Sequence, residues 1–133
     1  MSFIKKSITC LHNGKLNKVE LKLTVSEKCI LEVDIPFNNN FIVEADDFYE
    51  CFRKLRELDK SITYYCKGAR LNVLPSRMTR QMTMGMSAYE TTLGKPARKE
   101  DLVDIFDHED QGLVSDPERQ DEYQKEWFLS LKH

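Results

Sequence analysis

The sequence has no apolar run that approaches the length needed to cross a bilayer, and its opening MSFIKKSITC holds no apolar core of signal-peptide length. Neither membrane insertion nor export by a cleaved leader is expected. Histidine is scarce: His12, His108 and His133 are scattered, with no pair at the i, i+4 spacing of helical zinc sites. The four cysteines, at 10, 29, 51 and 66, form no C-x-x-C and pair with no histidine at metal-site spacing. Three fall inside apolar-patterned segments, as small buried hydrophobes do. Four cysteines can build a disulfide framework, but nothing else points to secretion, so a reducing cytoplasm is the expectation. The glycines at 68, 85 and 94 have neither G-x-G-x-x-G nor G-K-[ST] spacing, which removes a phosphate-cradling loop. No repeat, low-complexity tract or dividing linker interrupts the chain.

What is present is an ordinary globular composition, 41% hydrophobic and 32% charged over 133 residues. It predicts a single α+β domain over residues 1–133, large enough to bury one core. The net charge of −2 conceals an uneven distribution. Residues 1–52 carry six Lys/Arg and eight Asp/Glu, residues 53–100 eleven against four, and residues 101–133 three against ten. A basic middle thus precedes an acidic end. The two either steer partners or neutralise each other within the fold.

Phe3 to Leu11 is apolar-rich and reads as a strand or a frayed helix. His12-Asn13-Gly14-Lys15 is a turn, because Asn-Gly readily takes positive φ. Val19, Leu21, Leu23 and Val25 alternate with charged or polar residues, as a half-buried strand does. After a turn at Ser26-Glu27-Lys28, Leu31, Val33, Ile35 and Phe37 repeat the pattern, so the two strands form an antiparallel hairpin. Asn38-Asn39-Asn40 is a loop and Phe41 to Val43 a short extended run. Asp47 and Glu50 have capping-box spacing ahead of an apolar helical stripe at Phe48, Cys51, Phe52, Leu55 and Leu58. Arg53, Lys54, Arg56 and Glu57 lie on its other face, which is expected to be solvated. Ile62 to Cys66 is a strand broken by Lys67-Gly68, and Leu71 to Leu74 is extended again. Pro75-Ser76 ends that run or opens a helical turn. Residues 77–87 suit helix or strand, with Met78, Met82 and Met86 on one helix face or Met82, Met84 and Met86 alternating. Ala88 to Leu93 reads as strand, Gly94-Lys95-Pro96 as turn, and Asp101 to Phe106 as a buried helical turn or short strand. Asp116-Pro117 opens a last helix with an acid at the cap and proline at the first helical position, stacking Tyr123, Trp127 and Leu131. The predicted architecture is a mainly antiparallel sheet with a central amphipathic helix and a C-terminal helix packed on it.

Few constellations carry chemistry. Residues 107–118 resemble a calcium loop: Asp107 at position 1, Gly112 at 6, Val114 at 8 and Glu118 at 12. Glu109 and Gln111 are longer than the usual ligands there, Pro117 precedes the closing acid, and no second loop exists to pair with. Cys66 beside Lys67 and Arg70 is a candidate thiolate, but no histidine is near it in sequence; pairings of Ser76 or Ser87 with lysine are weaker. Lys67, Arg70, Arg77, Arg80, Lys95, Arg98 and Lys99, interleaved with Tyr64, Tyr65 and Tyr89, suggest phosphate neutralisation and base stacking by the basic region at 53–100. The sequence pI of about 5.9 and the acidic end oppose that. Conversely, Asp104, Asp107, Glu109, Asp110, Asp116, Glu118, Asp121 and Glu122 suit a basic protein surface, such as a nuclease cleft.

The stretch Tyr65-Cys66-Lys67-Gly68, with Asn72-Val73-Leu74-Pro75-Ser76, Met78, Arg80, Met82, Ala88-Tyr89 and Leu93-Gly94-Lys95-Pro96, resembles small bacterial immunity proteins of contact-dependent growth inhibition and related polymorphic toxin systems. The likeness covers roughly residues 62–131, including Asp101-Leu102-Val103 and the closing acidic, Trp-bearing helix. Lys67 and Met84 depart from it, standing where tight turns call for Asn-like and Gly-like residues. The resemblance implies a non-enzymatic cytoplasmic inhibitor, without cofactor or metal, that binds a cognate toxin domain such as a nuclease and occludes its active site or an adjacent surface. The acidic residues Asp104, Asp107, Glu109, Asp110, Asp116, Glu118 and Glu122 are the first-choice contact surface. Arg70, Arg77, Arg80 and Arg98 are the second. A small nucleic-acid-binding protein and a single-loop calcium module are the alternatives. On this view the glycines, prolines and methionines of residues 64–106 set turns and fill a core.

Overall fold

The computed structural model describes residues 3–36 and 40–132, arranged as two antiparallel sheets with three α-helices. The larger sheet contains β1 (Phe3–His12), β2 (Lys15–Val25), β3 (Cys29–Asp34), β4 (Asn40–Ala45) and β5 (Thr63–Tyr65), in the order β4-β3-β2-β1-β5. The smaller contains β6 (Val73–Leu74), β7 (Ser87–Glu90) and β8 (Leu102–Asp104), with β7 central. The helices are α1 (Phe48–Leu58), α2 (Arg77–Met82) and α3 (Glu118–Ser130). None is long and apolar enough to cross a membrane.

Asn13 and Gly14, at φ 51° and 75°, take the left-handed conformation that a tight hairpin requires. They set β1 against β2 from Phe3–Thr24 to His12–Lys15, so the first segment is strand rather than helix. This register puts Ile8 and Cys10 on the same face as Val19, Leu21 and Leu23, and β3 and β4 add Leu31, Val33 and Val43. The Phe48, Cys51, Phe52 and Leu55 stripe of α1 is buried with them. Asp47 caps α1 by accepting from the Glu50 N–H at 2.9 Å. Val25 and Leu58, at the ends of their stripes, are 41% and 55% exposed. The positions expected for Phe37, Asn38, Asn39 and His133 lie outside the described residues.

The strands are antiparallel, as expected, and fall into two sheets. After β5 a 3-10 turn at Lys67–Ala69 redirects the chain, and the Gly68 N–H donates to the Ile105 carbonyl at 2.7 Å. A Cβ on Gly68 would lie 3.0 Å from Ile105 Cβ and 3.1 Å from the Phe52 ring. The backbone therefore passes through the core at a point where only glycine fits. Val73, Ala88, Ile105 and Phe106 of the second half share one core with Phe52 and Tyr64. The Phe52 ring meets Tyr64 and Phe106 edge-on, each at 5.5 Å.

The ambiguous stretch is helix first and strand second. Ser76 caps α2 by accepting from the Thr79 N–H at 3.1 Å, and Thr79 Oγ1 accepts from the Ser76 N–H at 2.9 Å. Met84 and Gly85 then turn the chain at φ 54° and 74°. Met84 thus occupies a left-handed position, the conformation that makes a Gly-like residue the expected one there. Contrary to the core-filling expectation, Met78, Met82 and Met84 are exposed, and only Met86 packs partly on the core.

Candidate binding surfaces

Of the charged residues on the outer face of α1, Lys54 and Glu57 are exposed as expected, but Arg56, covered by Val114 and Gln120, is only 1% exposed. Its guanidinium stacks over Phe52 at 5.2 Å and donates to the Val114 carbonyl at 2.9 Å and Gln120 Oε1 at 2.8 Å. Burial among neutral acceptors pulls its pKa down, and Nε has no partner. Gln120 in turn donates to the Gly68 and Arg70 carbonyls at 3.0 and 2.8 Å. Arg53 clamps the other side of α3, donating twice to Asp121 at 2.6 Å. A helix surface of alternating charge gave no sign of this cover, since Val114 and Gln120 lie about sixty residues downstream in the chain.

The basic middle and the acidic end meet at Glu109. This buried carboxylate accepts from Arg70 Nη1 at 2.6 Å and Lys67 Nζ at 3.1 Å through one oxygen. Its other oxygen accepts from the N–H groups of Asp110 and Gln111 at 3.0 and 3.1 Å. Burial alone would raise the Glu109 pKa, but the hydrogen bonds from Arg70, Lys67 and the Gln111 N–H outweigh it and hold the group at about 2. Glu90 joins from β7, accepting from Lys67 at 3.0 Å. The 107–116 loop is therefore laced to the smaller sheet by its own charges.

That pairing sorts the acidic residues into two sets. Asp104 lies 3.5 Å from Lys6, Asp116 lies 3.6 Å from Lys60 and accepts from the Glu118 N–H at 3.0 Å, and Glu109 is paired as described. Asp107, Asp110, Glu118 and Glu122 are exposed, and among the described residues none of them makes an ion pair within 4.0 Å. The calcium-loop spacing does not converge: among the described residues no three His, Cys, Asp or Glu side chains are placed to hold a metal ion. Glu109, the loop's third position, is already held by two cations.

The basic residues divide likewise. Arg70 faces Glu109, and Arg80 Nη1 bonds Asp47 at 2.9 Å while its guanidinium lies 5.4 Å over the Tyr49 ring. Arg77 and Arg98 are exposed, and neither makes an ion pair among the described residues. Tyr64, offered for base stacking, is 1% exposed and belongs to the core. Sequence reasoning did not foresee a groove of about 730 Å³ between α2, β7, the Pro96-Ala97 turn and α3. Its lining includes Leu74, Tyr89, Trp127 and Phe128 together with Arg77 and Arg80. Trp127 is fixed there because its indole N–H donates to the Thr92 and Lys95 carbonyls at 3.1 and 3.0 Å. The Trp-bearing stripe of α3 and the arginines of α2 were separately legible, but only the fold makes them face one space.

Cys66, the candidate thiolate, is fully buried, and burial pushes its thiol up to about 12 despite the nearby Arg56 cation. Cys51 is pushed to about 12 by burial as well, and burial raises Cys10 and Cys29. His108, by contrast, is exposed and lies tilted 6.5 Å from the Tyr65 ring. No protein-family model matches the chain, and a search of curated proteins finds no match.

Proposed function

We propose that this chain is an immunity-type inhibitor that binds a cognate toxin domain, of the nuclease class, and covers its active-site cleft or the surface beside it. The observation that carries this reading is the sorting of the acidic residues. Asp107, Asp110, Glu118 and Glu122 stay exposed and uncompensated on a backbone pinned by the Lys67–Glu109–Arg70 and Arg53–Asp121 contacts. Acidic side chains on a preformed backbone lose little freedom on docking and speed encounter with a basic cleft. The resemblance over residues 62–131 points the same way.

The test is co-purification with the toxin domain encoded by the neighbouring gene, followed by association kinetics at rising salt. The expected result is a complex whose association rate falls with ionic strength and falls about tenfold or more when Asp107, Asp110, Glu118 and Glu122 are replaced by lysine. A neighbouring gene that encodes no toxin, or an association rate indifferent to salt and to the charge reversal, removes the reading.

A further inference from the structure

We infer that the groove between α2, β7 and α3 is a binding site for a small apolar molecule carrying a carboxylate. Its volume of about 730 Å³ lies within the roughly 300–1,000 Å³ typical of small-molecule sites. The apolar body of such a ligand has a place. Leu74, Tyr89 and Phe128 line the space, and Trp127 presents a ring whose only polar atom is already satisfied by two carbonyls. Phe128 is 52% exposed, so one wall stands in water until something covers it.

The sign of the ligand's charge follows from what lines the groove. The chain carries 22 acidic residues, yet none of them is among the lining residues, whereas two arginines are. Arg77 makes no ion pair among the described residues, so its guanidinium has donors available for a carboxylate. Arg80 is oriented by Asp47 and Glu50, both through Nη1, which leaves the rest of its fork open. With Arg80 balanced by Asp47 and Glu50, the uncompensated charge at the groove is Arg77; beside an aromatic lining it selects an anionic head on an apolar body, and a guanidinium pairs with a carboxylate through two parallel hydrogen bonds. This site is separate from the acidic face and does not rest on the toxin-binding reading.

Trp127 is the chain's single tryptophan, so its fluorescence reports on this groove without labelling. The full chain is titrated with decanoate and, in parallel, with decanol. Expected is a saturable change in Trp127 emission with decanoate, about tenfold weaker with decanol and about tenfold weaker in Arg77→Ala. Ala97→Phe, which fills the groove from the loop, is expected to abolish the response while leaving the circular dichroism spectrum of the folded chain unchanged. The assignment is overturned if decanoate produces no saturable change, if decanol binds equally well, or if Arg77→Ala binds as wild type. It is also overturned if emission shifts with protein concentration alone, which assigns the groove to a second copy. An acetylated Phe-Asp-Leu peptide that binds where decanoate does not assigns it instead to a protein segment.

Discussion

Glu109 is nearly removed from solvent yet held ionised, because two cations and two backbone N–H groups together outweigh the cost of its burial. Its folded pKa of about 2 lies below the ordinary 4.5, so its contribution to stability is complete above pH 4.5 and is lost as pH falls towards 2. Glu109→Gln is therefore expected to lower stability most at neutral pH, with the gap to wild type closing between pH 4.5 and 2. Urea unfolding across that range checks it; parallel stability curves would show that the group does not titrate in this way. In sequence Glu109 looked like one more surface acid beside Asp107 and Asp110. The difference lies in distant residues, Lys67 and Arg70, which no local pattern links to it. Arg56 shows the same from the cationic side: its neighbours on α1, Arg53 and Glu57, remain partly solvated while it does not.

Among the elements, the α2–β7 connection has the most exacting fit. Met84 accepts from the Phe48 N–H at 2.7 Å, so the turn supplies an acceptor to the first turn of α1. Gly85 follows at φ 74°, and a Cβ there would stand 2.6 Å from Asp47 Oδ1 and 2.7 Å from the Tyr49 nitrogen. Gly85→Ala combines left-handed strain with a clash against backbone, a loss of roughly 3 kcal/mol and about 10 °C in thermal midpoint. Gly14→Ala is the control, since Gly14 has φ 75° with nothing within 4 Å of the added Cβ. It is expected to cost only about 1 kcal/mol of conformational strain. Equal midpoints for the two variants would refute the close packing at Gly85. The Asn13-Gly14 turn, the β2–β3 hairpin, the α1 stripe and a helix opening next to Asp116-Pro117 were all legible, because each depends on residues within a few positions of one another. The order of helix and strand in residues 77–87 was not, because Met78, Met82 and Met86 satisfy both periodicities. Ser76–Thr79 capping and the docking of Met84-Gly85 on α1 decide it.

Across the whole molecule, all four cysteines are free and buried, and burial raises every one of their pKa values. They sit in strands, in α1 and at the junction of the two sheets, so their exposure requires global opening rather than local fraying. A thiol reagent at neutral pH is expected to modify none of them in the native protein and all of them in denaturant, at rates that track unfolding. Modification of any thiol under native conditions at the rate of a free one would contradict a single cooperative core. The charge polarity of the chain also resolves at this scale. Part of the acidic end neutralises part of the basic middle, through Glu109 with Lys67 and Arg70, Asp116 with Lys60 and Asp121 with Arg53, while Asp107, Asp110, Glu118 and Glu122 stay exposed and Arg77 lines the groove.

Residues 64–106, which lie within the stretch over 62–131 that resembles immunity proteins, are mostly architecture. Gly68 permits the crossing between sheets, and Met84-Gly85 seats α2 on the α1 N-terminus. By itself the sequence determined the α+β class, the main hairpin, the amphipathic α1 and the start of α3, because periodicity, caps and turn residues act over short separations. Only the tertiary structure decided that the sheet divides, that Arg56 and Glu109 are internal, and that Arg77 and Trp127 border one groove. Burial and ion pairing depend on which distant segments cover a residue, and that is a property of the assembled chain.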